Sequence, residues 1–248
     1  MASPLANGSS PSVKNIVLVH GAWADGSSWH KVVPLLQAKG FHVVCTQNAL
    51  SGLKEDVAIV NRILDAQDGP VILAGHSYGG IIITEAGNHP KVAGLVYVAA
   101  FAPDAGETLT SVTAPFPATP ALGEVNPIAD GFLLLTEKGI LEDFAQDLPV
   151  EEKSTMVATQ GPTHSSIFTA PITKAAWREK PSWYVVASND RTINPEYEKH
   201  AAAQMGAKTI TVPSSHVAML AKPHEVADLI LEAVASVNAA PQPSAVAA

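Results

Sequence analysis

The order of patterns in this chain predicts an α/β fold whose central sheet, mostly parallel and about six strands wide, is flanked by helices. Short apolar runs rich in β-branched residues alternate with segments of helical period. Most of these runs are apolar at every position, as strands covered on both faces must be. The 248 residues, 47% hydrophobic and only 15% charged, suit one sizeable core rather than a disordered chain.

The predicted strands are Asn15–His20, His42–Thr46, Pro70–Gly75, Val92–Ala102, Ser182–Ser188 and Lys208–Val212. The last helix carries Val226, Leu229, Ile230, Ala233, Val234 and Val237 on one face, at helical offsets, and should pack on the sheet. The alternation breaks over 104–181, a stretch without a convincing strand. From Pro103 on it is rich in Pro and Thr at first (Pro115, Pro117, Pro120, Pro127) and helical in pattern later (Ile140, Leu141, Phe144, Val150–Thr159). So long an interval inside a domain reads as a functional insertion, here a small helical lid over a site. Residues 1–13 and 238–248, rich in Ser, Pro, Ala and Asn, read as flexible tails around a single domain at 14–237.

Composition excludes partners more sharply than it names them. With 15 Lys and Arg against 23 Asp and Glu, the net charge is −8. That balance repels phosphate backbones and anionic membranes. The single cysteine, Cys45, allows no internal disulfide or multi-cysteine zinc site, and its apolar surroundings read as those of a buried structural thiol. No His/carboxylate cluster has metal-ligand spacing. Met1–Ser12 lacks the basic start and apolar segment of a secretory leader, so Asn7-Gly8-Ser9 is taken as a chance sequon. The longest apolar run, Val92–Ala102, is shorter than the ~20 residues that span a bilayer. A cytoplasmic protein, monomer or homodimer, without metal or cofactor, is the expectation.

Gly75-His76-Ser77-Tyr78-Gly79 fits G-x-S-x-G, the strand-to-helix elbow that lifts a serine hydroxyl above a sheet. The pattern is weak alone, but here it follows the apolar strand Val71-Ile72-Leu73-Ala74 and precedes the helical Ile81-Ile82-Ile83. An unassisted serine is a poor nucleophile; it needs an imidazole to take its proton and a carboxylate to orient that imidazole. Of nine histidines, His216 stands just beyond the strand Lys208–Val212, on the sheet edge where Ser77 also lies if the strands run parallel. His20 and His76 flank the site, His20 as a pocket residue and His76 as one pointing away from Ser77. Asp190 closes the strand Trp183–Ala187, and Asp104 is the rival acid because it also leaves a strand; Asp25 and Glu107 read as loop carboxylates. The order Ser77, Asp190, His216 is that of the hydrolases built on the G-x-S-x-G elbow. Oxyanion donors would be the amides of Tyr78 and of Ala22, in His20-Gly21-Ala22-Trp23. Trp23 and Trp29 are candidate apolar walls, or core.

Together, His20–Trp23, Gly75–Gly80, Val98–Asp104, Ser188–Arg191 and Ser215-His216 resemble the α/β-hydrolase superfamily over about 14–237. They are most similar to the branch of plant methylesterases, salicylate-binding esterases, hydroxynitrile lyases and related bacterial esterases. The resemblance implies a cofactor-free site beneath a cap, acting on esters of small carboxylic acids, with Ser77 as nucleophile, His216 as base, Asp190 as acid and Ala22 and Tyr78 as oxyanion donors. The lyases of the branch carry Thr after the first-strand histidine and Lys after the catalytic one. This chain has Gly21 and Val217 there, leaving a departing cyanide no electrostatic partner, so hydrolysis of small, fairly apolar esters is expected. The alternatives are a lyase-like or cofactor-free peroxidase activity, or a ligand-binding receptor on the same scaffold.

Overall fold

A computed structural model of the chain describes residues 12–240. In chain order the first elements are β1 (Asn15–Val19), α1 (Val33–Gln37), β2 (His42–Cys45), α2 (Leu53–Asp65), β3 (Val71–Ser77), α3 (Tyr78–Ala86) and β4 (Val92–Ala100). An insertion follows with α4 (Leu109–Thr113), β5 (Val125–Pro127), β6 (Phe132–Leu135), α5 (Val150–Thr159) and β7 (Thr163–His164). The chain then returns through β8 (Ser182–Ala187), α6 (Pro195–Gln204), β9 (Lys208–Val212), α7 (Ala218–Ala221) and α8 (Pro223–Ala239).

Six strands form one sheet in the order β2-β1-β3-β4-β8-β9, and every neighbouring pair is parallel. All residues of β1 and β3, and nearly all of β4, are buried, which accounts for their continuous apolar runs: helices cover both faces. α2 packs beside α3, and α1 beside α8. α8 buries Val226, Leu229, Ile230, Ala233 and Val234 against the central strands. β2 lies at the sheet edge, so Cys45 is half-buried rather than core; its surroundings still push the thiol up to about 11. Strand order reverses beside β1, whose neighbours are β2 and β3. Such a switch point opens a crevice at the carboxyl ends of the strands.

The insertion is not purely helical. β5, β6 and β7 make a three-stranded antiparallel sheet. These strands are two to four residues long, shorter than the runs that make a strand legible in sequence, and Phe132–Leu135 shows no alternation. At the ends, α8 continues to Ala239, and Asn238 Oδ1 accepts the Val13 N–H at 2.8 Å. Val13 is buried. The packed body therefore reaches into both stretches read as tails, while 1–11 and 241–248 lie outside the described residues.

Candidate active site

Ser77 ends β3 with φ 55° and ψ −124°, a left-handed conformation that a non-glycine residue holds only under the constraint of its surroundings. Its neighbours explain how the bend closes. A Cβ at Gly75 would stand 2.5 Å from the Gly79 carbonyl oxygen, and one at Gly79 would stand 2.6 Å from that of Val19. β1 and β3 pair with Val19 opposite Gly75, so the turn after β1 lies against the elbow. There, a Cβ on Gly21 would come within 2.7 Å of the Ser77 Cβ.

The other two predicted residues arrive from neighbouring strands. Ala187 of β8 pairs with Val212 of β9, and the two exit loops remain joined: Ser188 N–H donates to Val212 O (2.9 Å) and Asn189 N–H to Ser214 O (3.1 Å). Asp190 and His216 follow at once, and they meet. His216 Nδ1 lies 2.6 Å from Asp190 Oδ2, with both side chains fully buried. The second oxygen, Asp190 Oδ1, accepts the N–H groups of Thr192 (2.6 Å) and Ile193 (2.8 Å). Such a carboxylate fixes the imidazole tautomer with its proton on Nδ1 and frees Nε2 as a base. His216 Nε2 is buried and has no hydrogen-bond partner among the described residues.

Asp104 is elsewhere. Arg178 grips both its oxygens, and that guanidinium holds its carboxyl below the usual carboxylate range. Asp25 caps the turn Gly26–Trp29, and Glu107 accepts the Asp104 N–H.

His76 lies beside His216, with ring centroids 4.5 Å apart and planes tilted by 50°, and its Nε2 lies 3.0 Å from the His216 carbonyl oxygen. Phe144 of the insertion closes another side of the imidazole, at 4.9 Å. Burial, and then the neighbouring His216 ring, push His76 well below the ordinary histidine range, so it stays neutral and can donate to that carbonyl. Two further groups escaped sequence reasoning. The exposed Asp147 accepts the N–H of Ser215 on its Oδ2 at 2.7 Å, and the buried Asp56 accepts the Tyr78 hydroxyl at 3.0 Å and the Leu50 N–H at 2.9 Å. Nothing in their local sequence distinguishes them from surface carboxylates.

A cavity of about 300 Å³ opens beside Ser77, walled by Ala22, Trp23, Tyr78, Phe101, Phe116 and other residues of the insertion and of the Thr192–Tyr197 segment; among the described residues no charged side chain lines it. The Ala22 N–H has no partner among the described residues. Trp23 is held by its ring N–H on Leu133 O (3.1 Å). Two expected pocket residues do not line this cavity. Trp29 is wholly buried in the core. His20 turns to the other side, where its Nε2 accepts the Asn48 N–H (2.9 Å) and its Nδ1 lies 2.9 Å from Gly21 O; burial lowers its basicity. Among the described residues, no group of three or more His, Cys, Asp or Glu side chains could hold a metal ion.

A family model described as "Alpha/beta hydrolase family" matches residues 16–229. The chain belongs to that family. A pyrethroid hydrolase from Sphingobium wenxiniae is 29% identical, over 89% of this chain and 88% of that one. A carbendazim hydrolyzing esterase from Nocardioides is 34% identical over 112 residues; that match spans only 40% of this chain and 46% of the esterase. The solved structure of a pyrethroid hydrolase from Sphingobium faniae shares the fold with a TM-score of 0.77, at 24% identity, over 91% of this chain and 98% of that one. The plant branch matches as well: methylesterase 8 of Arabidopsis thaliana at 25% identity over 75% of this chain and 76% of its own, and salicylic acid-binding protein 2 of Nicotiana tabacum at 27% over 88% and 96%.

Proposed function

We propose that this alpha/beta hydrolase is a carboxylesterase of small, uncharged, fairly apolar esters, working through an acyl-enzyme on Ser77. The observation that carries the reading is the buried Asp190–His216 pair, 2.6 Å apart, whose Nε2 has no partner among the described residues, in a molecule whose serine sits on a strained elbow beside an apolar cavity. Relatives whose names describe ester hydrolysis support it.

In this scheme Ser77 Oγ attacks the ester carbonyl while His216 Nε2 takes its proton. The negative oxygen that forms is held by the amides of Ala22 and Tyr78, donors fixed before the charge develops. The imidazolium, steadied by Asp190, then gives its proton to the departing alkoxide, and the alcohol leaves. Water attacks the acyl-enzyme with His216 again as base, which releases the acid and restores Ser77. Gly21 and Val217 supply neither hydroxyl nor cation, so the scaffold favours hydrolysis over cyanohydrin cleavage.

The test is Ser77→Ala assayed with p-nitrophenyl acetate, with circular dichroism to confirm the fold. Turnover should vanish, and a fluorophosphonate probe should label the wild type alone. Labelling of the wild type also separates an enzyme from a receptor-like binder; substantial turnover by the alanine variant overturns the reading.

A further inference from the structure

Behind the Asp190–His216 pair lies a second carboxyl group that the reaction scheme leaves unused. Glu198 stands in the first turns of α6 and is wholly buried. Its Oε2 accepts the N–H of Ala187, the last residue of β8, at 2.9 Å. Its Oε1 is also buried, and no N–H or hydroxyl group among the described residues donates to it. Ala187 ties it to the catalytic loop, since the carbonyl of that residue takes the Asp190 N–H at 3.2 Å, and the Asp190 carboxyl, through its charge and a side-chain hydrogen bond, is the acid that acts on Glu198.

Two ionised carboxylates cannot share such a place. Of the other described groups facing Glu198, none donates to Oε1: the Tyr184 hydroxyl of β8 donates to Ala100 O, and the Tyr197 hydroxyl oxygen accepts the Ala102 N–H. Lys199, on the same helix, is half-exposed and paired with Glu196. Of the two acids, Asp190 is the one with three donors, from Thr192, Ile193 and His216, so it keeps the charge and Glu198 keeps a proton. A protonated carboxyl has an O–H to donate, and this removes the puzzle of the orphaned oxygen.

We infer that Glu198 is a positioning residue, whose protonated carboxyl donates a hydrogen bond to Asp190 and holds that carboxylate against the His216 imidazole. Burial, and the Asp190 charge after it, push the Glu198 carboxyl well above the usual carboxylate range, in keeping with a proton retained at neutral pH. Asp190 then stays an anion with a further donor on it, its lone pairs directed by α6 as well as by its own loop. The inference rests on the proposed catalytic roles of Asp190 and His216 for its kinetic consequence, though not for the proton itself.

Two substitutions of similar volume test it. Glu198→Gln keeps a neutral donor toward Asp190 and should hold kcat within about 3-fold of wild type. Glu198→Leu removes the donor and should lower kcat by about 10- to 100-fold with KM nearly unchanged, the range expected for one hydrogen bond to a charged group. The acidic limb of its kcat/KM profile should also move up in pH by about half a unit or more, because the Asp190 charge left without that donor stabilises the imidazolium more strongly. Infrared spectroscopy at neutral pH should find a protonated-carboxyl C=O band in the wild type that E198Q lacks. That band reports the proton whether or not the chain cleaves esters, and fluorophosphonate labelling of wild-type Ser77 reports the catalytic reading separately. If E198L fails to fold by circular dichroism, E198Q and the band decide. Absence of the band, E198Q as impaired as E198L, or a folded E198L with wild-type kcat and an unmoved limb would each overturn the inference.

Discussion

Asp190 and Asp104 both leave a strand of the central sheet, yet their surroundings assign them opposite tasks. Asp190 is buried and spends one oxygen on His216, whereas Asp104 is bound by Arg178 at a half-exposed site. Asp190→Asn should therefore lower kcat on p-nitrophenyl acetate by about 10³- to 10⁴-fold, the cost of a wrongly held imidazole, while Asp104→Asn changes it by less than about 3-fold. The reverse ranking in steady-state assays would move the acid to Asp104. Asp56 gives a prediction about stability instead. Burial pushes its carboxyl up to about 6, against the pull of the Tyr78 and Leu50 hydrogen bonds, while an unfolded aspartate titrates near 3.9. The fold thus prefers the protonated acid. Its contribution is fully present below about pH 4 and is lost as pH rises through about 6, to a total of about 2–3 kcal/mol. Asp56→Asn cannot ionise, so urea unfolding should show the stability of wild type falling relative to the variant between about pH 4 and 7. A difference that stays constant over that window refutes the shift.

Among the elements, the insertion is more than a cover. Its segment around Gly139–Asp147 grips both loops that carry the polar residues. Asp147 takes the Ser215 N–H (2.7 Å), the Gln146 side-chain amide donates to Asn189 O (2.7 Å), and Asp143 pairs with Arg191 (2.7 Å). Ser215 is wholly buried, so Asp147→Ala leaves its N–H without a partner, at a cost of about 1–3 kcal/mol. The melting temperature should drop by about 2–4 °C per kcal/mol, and kcat should fall more than KM rises, since His216 is the next residue. Calorimetry and kinetics on one preparation check both, and unchanged values would mean that the insertion only covers the site. This clamp also shows where legibility in the sequence ends. The central strands are readable because covered faces force apolar residues at every position, and Ser77, Asp190 and His216 because each follows a readable strand end. The partner of His76 was not legible because it is a carbonyl 140 positions away. Asp147 and Glu198 were missed because a carboxylate chosen for one distant N–H leaves no period or motif.

For the whole molecule, shape and charge act in the same direction. The chain carries a formal net charge of −8, and none of the described residues that line the cavity beside Ser77 is charged. An anionic ester is thus opposed twice: by the long-range field as it approaches, and by the loss of its hydration inside an apolar space that offers no cation. The two effects differ in their response to salt, since a field acting through water is screened over about 8–10 Å at 0.1–0.15 M ionic strength, while desolvation inside the cavity is not. A pair of p-nitrophenyl esters separates them: one with a neutral acyl chain, the other of the same length ending in a carboxylate. The neutral ester should have the larger kcat/KM by at least about 100-fold, equivalent to about 2.7 kcal/mol of transition-state free energy. Raising the salt concentration to about 1 M should recover only a small part of that gap. Full recovery would locate the selectivity in the field of the molecule, and equal rates at low salt would mean that the anionic chain stays in solvent and that the cavity does not receive the acyl group.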